Sequence, residues 1–249
     1  MKLGLIGAGN MAGALARGWG EPVLVHDPYR ARAEALVAEL GGEVVDSNAE
    51  LARRADAVLL AHKPAGLEQV AAEVGGAARG VVSILGGVPL AALRAAYGAT
   101  PVVRLIPSLP VEVRHGVTCH ARDPEADAVL EARTIELFER VGIVVSIDES
   151  QMQAATGVMS CAPAYVALVA EAQIDAGVRA GLPADVAGEL VAASIGGTAA
   201  LLQARAGDTL GVRRAVTSPG GITARGLAAL ERGGVRAAFD DAMQAVLAR

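Results

Sequence analysis

Lys2-Leu3-Gly4-Leu5-Ile6-Gly7-Ala8-Gly9-Asn10-Met11-Ala12 opens the chain with an apolar run, a glycine turn and the start of a helical stretch. The spacing Gly7-x-Gly9-x-x-Ala12 gives each small residue a task. Gly7 permits the tight turn, Gly9 lets a pyrophosphate approach the backbone, and Ala12 keeps helix and strand close. Phosphates at such a turn meet Asn10, Met11 and their neighbours as N–H groups at the positive end of a helix dipole. The motif gains weight from its place between a strand and a helix. A glycine turn that binds nothing is the plain alternative.

Outward from this turn, the pattern repeats. Lys2–Ile6, Val23–His26, Ala57–Ala61, Gly80–Ile84, Val102–Ile106, Val117–His120 and Ile143–Ile147 all read as strands. Helical stretches lie between them, among them Arg30–Leu40, with Ala31, Ala35, Leu36 and Leu40 near one face, and Glu125–Val141. Continuous apolar strands alternating with helices predict a mostly parallel sheet, doubly wound and covered on both faces. Pro89, Pro101, Pro107, Pro110 and Pro124 are expected in connections.

From Glu149 the character changes, which predicts an α/β domain over residues 1–148 and a helical one over 149–249. The second part carries no β-type run. Pro163–Ala180 and Pro183–Ala206 read as long helices, with Pro183 expected at a first helical position. Val166, Leu168, Val169 and Ile174 on one, and Leu190, Val191, Ile195, Leu201 and Leu202 on the other, leave no wide polar face. Such helices must be buried, and about 100 residues cannot easily bury both, so a second subunit is expected to cover them. A well-packed monomeric bundle is the plainer alternative.

Composition excludes several functions. Of the 249 residues 53% are apolar and only 2% aromatic, which suits a helix-rich globular protein. A formal charge of −5, with no run of Lys and Arg among aromatics, gives no nucleic-acid footprint. No uninterrupted apolar run reaches the ~18 residues of a membrane span, and the apolar start lacks a cleavage-site pattern. Cys119 and Cys161 lack metal-ligand spacing with the histidines, so no metal is expected. A cytoplasmic protein is the expectation.

Further candidates cluster where strands end. Asp27 follows Gly7 by about 20 residues, where an acidic residue accepts the ribose hydroxyls of NAD(H) and repels a 2′-phosphate. Arg30 and Arg32 follow, and a guanidinium can hold that phosphate, so NADH and NADPH both stay open with Asp27 tilting toward NADH. Both arginines serve equally as a solvated helix face. His62-Lys63-Pro64 closes the strand Ala57–Ala61 at the edge where open α/β sheets bind ligands. A backbone-satisfied histidine and a solvated lysine are the plainer readings of that pair.

Ser218-Pro219-Gly220-Gly221-Ile222-Thr223 precedes an amphipathic stretch with Leu227, Leu230 and Val235 in its apolar set. Glycines expose consecutive N–H groups, and the next helix adds its positive end, which suits a carboxylate. Ser218 and Thr223 add hydroxyls that donate and accept. A capping turn that uses Ser and Thr for stability alone is the alternative.

On these residues the chain resembles the pyrroline-5-carboxylate reductases. The likeness runs through Gly7–Ala12, Asn48 ahead of Ala55-Asp56-Ala57-Val58, and His62-Lys63-Pro64, where the family usually has Val-Lys-Pro. It continues through Pro163-Ala164-Tyr165, Glu171-Ala172 with Asp175-Ala176-Gly177, and the distinctive block Val216–Thr223. The resemblance implies a Rossmann domain that binds NADPH or NADH, then an all-helical domain that makes homodimers and rings of dimers. It places Asn48 near the cofactor's adenosine end. The substrate carboxylate lies between the domains on Ser218, Gly220, Gly221, Ile222 and Thr223, with Thr223 near the ring nitrogen as the catalytic candidate. The implied reaction is reduction of 1-pyrroline-5-carboxylate to L-proline.

Departures mark the substrate side. Ser108 stands where the family often has a longer amide, which shortens any contact to the cofactor. Met159 and Cys161 replace smaller or more polar residues and are expected to change the pocket's polarity, although a small buried role suits Cys161 as well. Reduction of another small cyclic imine or of a keto or hydroxy acid, and a non-catalytic dinucleotide-binding relative, are the alternatives.

Overall fold

Short apolar runs become strands buried from both sides, as a parallel sheet under helices requires. The computed structural model describes residues 1–248. Its strands are β1 (Leu3–Ile6), β2 (Val23–His26), β3 (Gly42–Val44), β4 (Ala57–Leu60), β5 (Val81–Ser83), β6 (Val102–Pro107), β7 (Gly116–Ala121) and β8 (Gly142–Ile147). They form one sheet in the order β3-β2-β1-β4-β5-β6-β7-β8. All neighbours run parallel except β6 and β7, where Ile106 faces Cys119 in an antiparallel register. Every strand expected from the sequence is present, and β3 is added at the edge.

Helices α1 (Asn10–Trp19), α2 (Arg30–Leu40), α3 (Asn48–Arg54), α4 (Leu67–Val74), α5 (Leu90–Tyr97) and α6 (Ala128–Glu139) connect the strands. Alternate strand residues feed two cores. Ile6, Val58, Leu60, Val81 and Ile106 point to one face, and Leu5, Val25, Leu59, Val82 and Leu105 to the other. On the second face Trp19 of α1 meets Phe138 of α6 edge-on at 5.6 Å, and its indole N–H donates to the Leu137 carbonyl at 3.1 Å. That bond satisfies the one polar atom of a buried ring.

Within the sheet and its connecting helices, α2 and Pro107 differ from expectation. On α2 the buried residues are Ala33 and Leu36, while Ala31 and Ala35 are exposed; alanines carry too little apolar surface to fix a face. Pro107 ends β6 opposite Thr118 instead of lying in a connection. A strand's last residue can forgo its N–H, and Ser108 resumes the bonding by donating to the Val117 carbonyl at 2.9 Å.

The first compact unit runs from Met1 to Pro163 and the second from Ala164 onward. The segment after β8 holds α7 (Met152–Ala155) and a π-helical turn, Thr156–Ser160. It belongs to the first unit because Met152 and Met159 enter that unit's core. Met159 is therefore part of the core, where its long flexible side chain fills a gap beside the sheet. Buried Arg104 on β6 anchors the same segment. Its guanidinium lies 2.5 Å from Glu149 Oε1, which also accepts the Leu90 N–H at 3.0 Å.

The second unit contains α8 (Ala162–Arg179, whose first turn overlaps the boundary), α9 (Ala184–Ala204), α10 (Thr209–Ala215), α11 (Ile222–Arg232) and α12 (Val235–Leu247). Pro183 is the N-cap of α9, one position earlier than expected. Val235 starts α12 and so leaves the apolar set of Leu227 and Leu230; Gly234, at φ +76°, breaks the stretch into two helices. In the single chain α8 has no buried residue and α9 only Ala187, while Leu168 and Leu190 are 65% and 53% exposed. By length and composition alone, Glu149–Arg179 and Ala184–Ala204 are apolar enough to cross a membrane, although charged residues interrupt both.

Candidate active site

The glycine turn bridges the first two strands. The Gly7 N–H donates to the His26 carbonyl at 2.8 Å, and the Ala61 N–H donates to the Ile6 carbonyl at 2.9 Å. Gly7 takes φ +104°, and a Cβ there would lie 2.9 Å from the Ala61 carbonyl oxygen. Only glycine fits. Gly9 is different: it caps α1 in extended conformation, and a Cβ on it would meet nothing within 4 Å. The N–H groups of Asn10 and Met11 have no carbonyl a turn earlier in the helix to pair with. A turn with open space above Gly9 and donors beneath it fits a dinucleotide's pyrophosphate.

Asp27 is buried just past the end of β2. Its Oδ2 accepts the Ala8 N–H at 2.7 Å and its Oδ1 accepts the Tyr29 N–H at 2.7 Å. The carboxylate thus holds the glycine turn and the start of α2 together, with further lone pairs on both oxygens. Arg30 is exposed and paired with Glu34 at 2.9 Å and Asp46 at 2.8 Å. The Arg32 guanidinium stacks 4.7 Å above the exposed Tyr29 ring.

Asn48 begins α3 and is 5% exposed. Its Nδ2 donates to Glu73 Oε2 at 2.6 Å, while Oδ1 is buried without a partner. His62 lies past β4, with Nδ1 2.8 Å from the Lys63 carbonyl, so that nitrogen carries the proton and Nε2 is a buried acceptor. Burial pushes the imidazole below its ordinary pKa, only partly offset by the Lys63 carbonyl and Glu73. Lys63 is exposed and precedes the turn Pro64–Gly66. Gly7, Gly9, Asp27, Asn48 and His62 thus share the carboxyl edge of β1, β2 and β4. Glu73 escaped sequence reasoning, because one acid on α4 looks like any solvated helix charge.

In the second unit, the Gly221 N–H donates to the Ser218 carbonyl at 3.0 Å and Gly220 takes φ +69°. Gly221 is the N-cap of α11 with no side chain on its first N–H groups. A Cβ on Gly221 would crowd the Ser218 hydroxyl at 2.3 Å. Ile222 is exposed and Thr223 half-buried, so the loop presents an open helix end to an anion. Ser108 follows the carboxyl end of β6. It is buried, and its hydroxyl accepts the Val117 N–H at 2.9 Å in the turn from β6 to β7.

Both parts of the chain match known proteins. Residues 149–249 match the family described as pyrroline-5-carboxylate reductase dimerisation, and residues 2–87 match NADP oxidoreductase, coenzyme F420-dependent. Pyrroline-5-carboxylate reductase of Synechocystis sp. is 37% identical over all of this chain and 97% of its own. The Thermus thermophilus enzyme of that name is also 37% identical, over 100% and 97%. Among solved structures, the Plasmodium falciparum pyrroline carboxylate reductase with NADP bound superposes with a TM-score of 0.88. It is 29% identical and aligned over 99% of this chain and 95% of that one.

Proposed function

The chain belongs to the pyrroline-5-carboxylate reductase family, and on that premise we propose that it reduces 1-pyrroline-5-carboxylate to L-proline with NADH as its preferred donor. The observation that carries the reading is the pair of cradles, a glycine turn open above Gly9 and a helix end open at Gly221. Gly7, Gly9, Asn10 and Met11 would hold the pyrophosphate. Asp27, Arg30 and Asn48 would flank the adenosine half, and His62, Lys63 and Pro64 the span toward the nicotinamide. The bound dinucleotide supplies a hydride for the imine carbon.

The remaining work falls to the protein. Backbone N–H groups at Gly220, Ile222 and Thr223, with the Ser218 hydroxyl, hold the substrate carboxylate at the start of α11, around the turn that the Gly221 N–H closes on the Ser218 carbonyl. Thr223 hydrogen-bonds the ring nitrogen, accepting from it once it is protonated, or relays its proton. A protonated imine carbon is the more electron-poor, so hydride addition there leaves a neutral secondary amine. Alignment supplies most of the rate, because the hard step belongs to the cofactor. Thr223→Ala is expected to lower kcat about a hundredfold, as loss of a positioned proton donor does, with little change in cofactor affinity. Turnover at the wild-type rate would remove Thr223 from the chemistry.

Asp27 supports NADH. Two backbone N–H groups fix its carboxylate, which leaves lone pairs for ribose hydroxyls and a negative charge facing any 2′-phosphate. Asp27→Asn is expected to shift kcat/KM toward NADPH about tenfold, or ~1.4 kcal/mol. The parent assay follows loss of reduced-nicotinamide absorbance with 1-pyrroline-5-carboxylate, in parallel with NADH and NADPH. Cofactor binding without turnover would move the reading to another imine or to a non-catalytic relative. The reading includes a cytoplasmic enzyme assembled as homodimers, or rings of them, through the helical unit.

A further inference from the structure

Asn48 and Asp27 stand on the same edge of the sheet. The Val45 N–H donates to the Val25 carbonyl at 3.0 Å, and the Val45 carbonyl lies 3.0 Å from His26 Nδ1. The segment that leads from β3 into Asn48 therefore lies beside the end of β2, on the side where the adenosine half of a dinucleotide lies. A buried amide can turn either end toward a ligand, donor or acceptor. Here the choice is made by Glu73. Its Oε1 accepts from Gln69 Nε2 at 2.8 Å and its Oε2 from Asn48 Nδ2 at 2.6 Å. Those bonds, Gln69's foremost, hold the carboxyl below its ordinary pKa, and His26 and His62 add a weaker attraction. An ionised carboxylate only accepts, so it draws the NH2 end of Asn48 to itself and fixes which way the amide points, with Oδ1 buried and unpartnered at the other end.

We propose that Glu73 is a positioning residue that sets cofactor specificity through Asn48, by holding the NH2 end to itself so that the amide turns its acceptor to the nucleotide. An acceptor suits a hydrogen-bond donor of the adenosine half, either a ribose hydroxyl or the adenine amino group. It is wasted on a 2′-phosphate, which has no proton to give at neutral pH when fully ionised. The proposal rests on the dinucleotide-binding reading of this edge, but not on which cofactor the wild type prefers.

The experiment measures dissociation constants by calorimetry for NADH, NADPH and deamino-NADH, whose adenine amino group is replaced by a carbonyl. Wild type is compared with Glu73→Gln and Glu73→Ala, without substrate. Glu73 is exposed, so both variants are expected to fold, and unchanged melting temperatures check it. Freeing the amide to rotate should improve binding of one analogue relative to NADH by about tenfold, the worth of a hydrogen bond to a charged group. Relief confined to NADPH identifies the ribose hydroxyl as the donor, and relief confined to deamino-NADH identifies the adenine amine. Equal changes for all three ligands, or none, would overturn the proposal. Failure of the wild type to bind any of them would instead overturn the reading of the whole edge.

Discussion

Gly9→Ala is expected to leave the melting temperature of the free protein unchanged and to weaken NADH binding about a hundredfold. Gly7→Ala is expected to lose both. The contrast follows from two glycines of one motif meeting different surroundings. A Cβ on Gly9 touches no protein atom within 4 Å, and φ there is −76°, which any residue adopts. The added methyl would stand only in the way of a pyrophosphate that must approach the backbone closely. A Cβ on Gly7 meets the Ala61 carbonyl at 2.9 Å with the backbone at φ +104°. Holding alanine in that conformation costs roughly 1–3 kcal/mol, before the turn shifts to relieve the contact. Differential scanning fluorimetry and calorimetric titration read the two effects separately. Wild-type affinity in Gly9→Ala would mean that no phosphate sits on this turn. A stable Gly7→Ala would mean that the turn relaxes far more easily than its neighbours suggest.

What could be read from the sequence was what local residues dictate. Strands such as Val81–Ser83 and Val102–Pro107 are buried on both faces, so their apolar runs are continuous and plain. β3 was missed because Gly42-Glu43-Val44 lies at the sheet edge, mostly exposed, and a short polar edge strand needs no hydrophobic pattern. The antiparallel β6–β7 pair left a trace that was passed over. The connection from Ser108 to His115 is shorter than the dozen or so residues a parallel crossover takes. At the site, glycines announce themselves because φ > 0 and close approach require them. Asp27 was legible as an acid at the right distance, but its bonds to Ala8 and Tyr29 were not. The Glu73–Asn48 bond joins residues on different helices, and nothing local marks it. The roles the structure gives Ser108 in a turn and Met159 in a core rest on distant partners that their own positions do not announce.

The apolar helices of the second unit lead to the other large effect. Leu168→Arg with Leu190→Arg is expected to turn the oligomer into single chains of 25.1 kDa, read by light scattering after size exclusion. Leu168 and Leu190 are 65% and 53% exposed in one chain, and Val166, Val169, Val186 and Leu201 are exposed beside them in sequence. Leucines left in water forgo roughly 1.5–3 kcal/mol each that burial would return. Soluble monomers rarely leave so many large apolar side chains of two helices exposed, and the family matched by residues 149–249 is one of dimerisation. Arginines at both positions place charge where apolar surface must close, and an unpaired buried charge strongly opposes association. The melting temperature should fall too, because assembly stabilises whatever it binds. Replacing exposed Arg179 by alanine changes charge without placing one in an apolar face, and is expected to leave the assembly intact. If the double variant kept the wild-type mass, the dimer would have to form without these leucines. The apolar faces of α8 and α9 would then need another partner.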